Sequence, residues 1–277
     1  MKKITLVLTF IVVVMLIAIS ATRAFARPKY YSVYRYYYGL AKNALKGSVE
    51  DLDILKKNAT KGNSFAQAEL GFYYTKKKNF SSGLYWNRKA AANNNYVAEN
   101  SLGNYYYWGS GVNKDYSKSL YWFKKSAIQG FANAESDLGS FYLRGLGVIN
   151  QNYTQAIYWI KKSAMQGFYY GEYSLGFIYL HGKGVPIEYN HARYWFEKAA
   201  QKGFKLADVD LALIYTKGLG VNRNYKKAFY YSKKSGFYKV CYYSAINYMI
   251  MKYYITESAA RPKAAYECRG LRNNVKY

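Results

Sequence analysis

The sequence predicts an all-α chain: a right-handed α/α superhelix in which short helices pair and the pairs stack. Three observations predict it. Leu-Gly stands at Leu70-Gly71, Leu102-Gly103, Leu138-Gly139 and Leu175-Gly176 and returns as Leu211-Ala212, at steps of 32, 36, 37 and 36 residues. That is the period of a solenoid of stacked units. A second register, Trp86, Trp122, Trp159, Trp195 and Tyr231, keeps step with it. Finally, the chain is 51% hydrophobic with only 3 prolines, which suits helices around a buried core and excludes disorder.

Taken in chain order, residues 1–26 read as an export signal. Lys2 and Lys3 precede an apolar run from Ile4 to Ile19, and Ala24-Phe25-Ala26 offers a small-residue cleavage pattern before Arg27. An uncleaved inner-membrane anchor facing the periplasm is the alternative. Either way the location expected is the periplasm or the exterior of a bacterium. Residues 27–65 read as capping helices: Tyr34 to Leu45, then 50–61, which resembles a second helix without its tryptophan. Solenoid ends need such atypical units to cover the stacking face.

The repeats are expected over 66–242, as 66–97, 98–133, 134–170, 171–206 and 207–242. In the first helix of each, helix A, a small residue stands four before the leucine (Ala66, Ala98, Ala134, Gly171, Ala207) and a tyrosine four after (Tyr74, Tyr106, Tyr142, Tyr179, Tyr215). That spacing aligns them on one helix face. The recurrent glycine costs about 1 kcal/mol of helix propensity, so it marks a crossing where a β-carbon would collide. Helix B carries the tryptophans, expected in the core, and ends near Gly130, Gly167 and Gly203.

Tryptophan to the next leucine is always 16 residues, whereas leucine to tryptophan is 16 in the first unit and 20, 21 and 20 later. Variation is thus confined to the A–B turn, Gly109-Ser110-Gly111-Val112, Gly145-Leu146-Gly147-Val148, Gly182-Lys183-Gly184-Val185 and Gly218-Leu219-Gly220-Val221, replaced in the first unit by Lys76-Lys77-Lys78-Asn79. With no βαβ context these glycines are not nucleotide loops. Residues 243–277 read as a C-terminal cap, with a last helix over 257–270 broken near Pro262. Cys241 and Cys268 are a candidate disulfide in an oxidising compartment.

The pattern A-x3-LG-x2-Y-x2-G-x-GV, an aromatic, A-x2-W-x3-AA and a glycine resembles the Sel1-like repeat family, relatives of the tetratricopeptide repeats. It covers about five units. The first departs by its short turn and the fifth by Ala212 and Tyr231. The resemblance implies a superhelix whose concave face, lined mainly by A helices, binds proteins, with no shared catalytic set and no cofactor. Some exported bacterial members resemble immunity proteins that inhibit toxic effector enzymes, lipid-cleaving ones included. Besides an adaptor, then, the expected readings are a periplasmic immunity protein and a cell-envelope assembly factor.

Candidate binding residues are those just before the leucine and two after it, turned away from helix B: Ser101, Asn104, Asp137, Ser140, Ser174, Phe177, Asp210 and Leu213, with Tyr173. Tyr173, Phe177 and Leu213 are the anchor candidates. The formal charge of +26 is expected to lie mostly on a solvated face. Lys89, Lys125, Lys162, Lys198 and Lys234 follow helix B's aromatic by three residues, and Glu99, Glu135, Glu172 and Asp208 occupy helix A's first turn, each the sign the helix dipole favours. A weak contact with an anionic membrane surface is compatible with this charge; nucleic acid is not expected, as no recognition module is visible. His181 and His191, with Glu188 between, could serve acid–base chemistry but have no nucleophile beside them. Two cysteines and two histidines without metal-like spacing predict no metal site.

Overall fold

The computed structural model describes residues 31–147, 149–253, 256–269 and 271. The residues read as an export signal lie outside them. The described residues contain fourteen helices and no strand, grouped in two compact units, Met1–Gln166 and Gly167–Tyr277. The N-terminal unit holds α1 (Tyr31–Leu45), α2 (Val49–Thr60), α3 (Ser64–Lys76), α4 (Phe80–Ala92), α5 (Tyr96–Trp108), α6 (Tyr116–Ile128), α7 (Ala132–Arg144) and α8 (Tyr153–Met165). The C-terminal unit holds α9 (Tyr169–His181), α10 (Tyr189–Gln201), α11 (Lys205–Lys217), α12 (Tyr225–Ser235), α13 (Tyr238–Tyr253) and α14 (Glu257–Cys268). From α3 to α12, odd helices are A and even helices B, paired as α3–α4, α5–α6, α7–α8, α9–α10 and α11–α12.

Local chemistry sets the helix ends. B helices open on an aromatic residue, and in four of the five a capping side chain precedes it: Asn79, Asp115, Asn152 and Asn224 each accept from the backbone N–H three residues on. The long A–B turns start at a left-handed glycine, as at Gly145 (φ 63°). The second glycine of the turn has a different task. A β-carbon on Gly147 would come within 2.8 Å of the Tyr116 Cβ, and one on Gly111 within 2.7 Å of the Phe80 Cβ. It therefore lets the turn of one repeat settle on the first B residue of the repeat before. In the short turn of the first repeat Lys78 takes the left-handed conformation instead (φ 61°).

The crossing of A on B explains the Leu-Gly pair. A β-carbon added to Gly103 would lie 2.5 Å from the Phe123 ring, and one on Gly139 2.5 Å from Ile160 Cγ1 and 3.1 Å from Ile160 N. Phe196 stands in the same relation to Gly176. The side chain that fills the crossing is thus the residue after the tryptophan. Phe123, Ile160 and Phe196 are fully buried, while Trp86, Trp122 and Trp159 are only half-buried and Trp195 is buried. The expectation of core tryptophans is corrected accordingly: they sit on the flank of helix B, between the crossing residue and an exposed tyrosine.

Serines in the small pairs of helix B do more than save space. Ser126 Oγ donates to the Tyr96 carbonyl at 2.6 Å and Ser163 Oγ to the Ala132 carbonyl at 2.7 Å, tying the end of B to the start of A. The expected break at Pro262 does not occur: α14 runs through it. Proline removes one backbone bond there, but Ala260 and Ala264 are buried against α13 in a cluster with Ala245, Ile246 and Met249, and Cys268 is bonded to Cys241, with Cα atoms 6.0 Å apart. Tertiary contacts carry the helix past its weakest point.

Candidate functional site

The acidic residues of the A helices fall into two sets with different surroundings. Those in the first turn are not solvated. Glu99, Glu135, Glu172 and Asp208 are all buried, between 0% and 2% exposed, and each meets a lysine from the last turns of its own B helix. Lys125 Nζ lies 3.2 Å from Glu99, Lys162 Nζ 3.4 Å from Glu135 and Lys234 Nζ 3.1 Å from Asp208; Lys202 takes this place for Glu172. Gln129 and Gln166 add amide donors at 2.7 Å to Glu99 and Glu135. Burial holds Glu135 well above the usual carboxylate range, at about 7, while Lys162 and Gln166 pull it down. The picture of a wholly solvated charged face is therefore corrected: Lys125, Lys162 and Lys234 fold back across the hairpin to reach carboxylates that water does not. Lys198 instead lies over the Tyr194 and Trp195 rings, and Lys89 over those of Tyr85 and Trp86. Gln67, in the first repeat, replaces the acid and bonds the Ala59 carbonyl.

The second set stands one residue before the leucine and belongs to the row proposed for binding. In the N-terminal unit Asp137 of α7 accepts a 2.9 Å bond from the Asn100 amide of α5, linking neighbouring A helices. It is half-buried, and desolvation raises its pKa to about 6 against the pull of Asn100. Ser101 and Asn104 turn back on α5, Ser101 Oγ donating to the Val97 carbonyl at 2.9 Å and Asn104 Nδ2 to the Asn100 carbonyl at 3.1 Å. Ser140 is half-buried on α7.

In the C-terminal unit the row contains a cluster. Burial raises the Asp210 pKa, and the neighbouring Tyr173 hydroxyl and the charge of His181 pull it back down. His181 packs on Phe177 with ring centroids 4.1 Å apart, while Tyr173 packs against Phe196 and Phe204. Ser174 is half-buried and Leu213 is 37% exposed. The histidines part company. His191 pairs with Glu188 and stacks on Tyr179, whereas the His181 Nδ1 lies 3.0 Å from the Phe177 carbonyl of its own helix. Among the described residues no group of three or more metal-ligating side chains is close enough to hold a metal ion.

Sequence reasoning passed over two features. Glu69 stands one residue before Leu70, the same register as Asp137 and Asp210, and that register is the signal that finds it. It is 1% exposed, and burial raises its pKa to about 8. The tyrosine before each helix B aromatic was the other signal. Tyr85, Tyr121 and Tyr158 are 53–57% exposed in the N-terminal unit, each edge-on to its tryptophan. Beside them Arg88, Lys124 and Lys161 are exposed. The two helix types thus present opposite characters: carboxylates set among apolar groups on A, tyrosine and basic residues on B.

Comparison with known proteins agrees with this architecture. The family model described as Sel1 repeat matches residues 64–95, 97–131, 132–168, 170–204 and 206–236. No curated protein matches the sequence. Among solved structures the chain is similar to c5321, a protective antigen of uropathogenic Escherichia coli with an SLR fold (31% identity, TM-score 0.66). That match covers 78% of this chain and 48% of the other, so the chain spans about half the length of that antigen. It is also similar to a Sel1 repeat protein from Oxalobacter formigenes, with 27% identity, TM-score 0.69, and 86% and 99% of the two chains covered. The similarity to immunity protein Pa5087 from Pseudomonas aeruginosa is weaker, with 21% identity, TM-score 0.46 and 69% and 73% coverage, and carries no argument about function. With five repeats matched over more than half of its length, this chain belongs to the Sel1 repeat family.

Proposed function

We propose that the chain is an exported protein-binding scaffold that holds a protein partner on its A helices, with Tyr173, Phe177, Asp210 and Leu213 of the C-terminal unit as the contact residues and Asp137 as the corresponding carboxylate of the N-terminal unit. The observation that carries this reading is a row of partly exposed apolar groups, Tyr173, Phe177 and Leu213, in register with the half-buried carboxylate of Asp210. Asp210 is half-buried, its pKa raised by burial, and Phe177 and Leu213 lie on the same row. Apolar anchors ringed by oriented polar groups are the makeup of an interaction hot spot. An immunity protein is the special case in which the partner is a toxic effector enzyme, and an envelope assembly factor the case in which it is a structural one. A gene for a toxin, or for envelope components, beside this one separates the two.

The test is capture from periplasmic extract on the immobilised full chain. A stoichiometric protein is expected, and replacing both Phe177 and Leu213 by Ala should weaken its binding at least tenfold with the helical circular-dichroism spectrum unchanged, as loss of a hot spot of about 2 kcal/mol requires. Recovery of no protein, together with sedimentation on anionic liposomes, would assign binding to the basic B helices and overturn the scaffold reading.

A further inference from the structure

Helix α1 does more than extend the stack ahead of α3. It packs on both α2 and α3, and Tyr34 reaches across the A helices beyond: its ring lies 6.4 Å from that of Tyr96, at the start of α5, and 5.8 Å from that of Phe131, at the N-cap of α7. Tyr38, one turn on, meets Phe72 of α3 at 5.8 Å. One short helix therefore touches the A sides of three consecutive repeats.

Its seat is imperfectly matched. Beneath it lie Glu69 of α3, 1% exposed, and Tyr96 of α5, 3% exposed. The Glu69 Oε2 and the Tyr96 hydroxyl have no hydrogen-bond partner among the described residues. Among the described residues the groups whose titration feels Glu69 are tyrosines, Tyr34 and Tyr38 from α1 and Tyr96 from α5, and none of these supplies a positive charge. A buried polar group without a partner opposes the contact that buries it. The helix itself is weakened at Gly39, where a β-carbon would meet nothing within 4 Å, so this glycine has no packing reason and lowers helix propensity.

We propose that α1 is a displaceable strap over a groove on the A-helix face of the N-terminal unit, and that the partner segment which replaces it carries an arginine or lysine that pairs with Glu69. An arginine fits best, since its planar guanidinium stacks on aromatic rings while its N–H groups bond a carboxylate. The inference rests on the A-helix face being the one that binds protein, and adds to that reading the place, the partner's chemistry and a built-in competitor.

Hydrogen exchange on the native full chain should show residues 31–45 opening at least a hundredfold more readily than α3. The binding probe is a synthetic peptide of residues 31–45 carrying Tyr34→Arg. The full-length Tyr34→Ala variant, its strap loosened, should bind this peptide at least tenfold more tightly than the native chain does. Glu69→Gln on that background should remove at least tenfold, whereas Gly39→Ala in the native chain, which strengthens the strap, should weaken binding about fivefold, the equivalent of about 1 kcal/mol of propensity. Equal binding by all variants, no binding, or an α1 as protected as α3 overturns the strap. If a partner is captured through Phe177 and Leu213 while these tests fail, the scaffold reading stands and the strap alone is lost.

Discussion

Two glycines in helices behave oppositely because of what surrounds them. At Gly139 an added methyl would press on Ile160 Cγ1 at 2.5 Å and on the Ile160 nitrogen at 3.1 Å, which backbone cannot easily yield. Overpacking costs about 1–3 kcal/mol against about 1 kcal/mol of gained propensity. Gly139→Ala should thus destabilise the N-terminal unit by up to roughly 2 kcal/mol, while Gly39→Ala should stabilise α1 by up to about 1 kcal/mol; urea denaturation of both variants checks the two signs. Glu69 makes a pH prediction at the same scale. Its folded pKa is raised from 4.5 to about 8, so the buried site binds a proton that the open chain releases. Protection of residues 31–45 should be greatest below the ordinary carboxylate range, and fall by up to about 1.4 kcal/mol per pH unit as pH rises from 4.5 towards 8. Above that it should level off. Hydrogen exchange corrected for its intrinsic pH dependence measures this, and Glu69→Gln should flatten the profile.

Four of the five A–B hairpins are closed at one end by a buried carboxylate and a lysine. Removing the lysine head strands the acid. For Lys162→Met the cost should fall between the roughly 1 kcal/mol of a lost hydrogen bond and the roughly 3–5 kcal/mol of a stranded buried charge, because Glu135 keeps the Gln166 donor and can take up a proton. Calorimetry at pH 5 and pH 8 should show the larger loss at pH 8, where a proton is harder to acquire. The helices α13 and α14 make a second case. The Cys241–Cys268 bond closes a separation of 27 residues, for which chain entropy predicts about 3.5 kcal/mol. Reduction should therefore release α14, already missing one backbone bond at Pro262, before the repeats unfold. Hydrogen exchange with and without a reductant would reveal it.

Considered whole, a chain of formal charge +26 arranges its signs by helix type. Spacing in the sequence predicted the helix pairs, their glycine turns and the left-handed stops, because these depend on residues within a turn or two of each other. The row of candidate residues was also legible as a register. Its chemistry was not. That Ser101 and Asn104 bond their own helix, whereas Asp137 joins the next A helix, depends on side chains 37 residues apart.

The sequence by itself determined the repeat, the hairpin and the residues too small to replace at the crossings, because periodic sterics leave a mark at fixed spacing. Only the tertiary structure decided which charges are dry, which tyrosines meet solvent, and where α1 lies. Those depend on the summed field and packing of several repeats, and burial of a carboxylate such as Glu69 beneath a distant helix leaves no local trace in the chain.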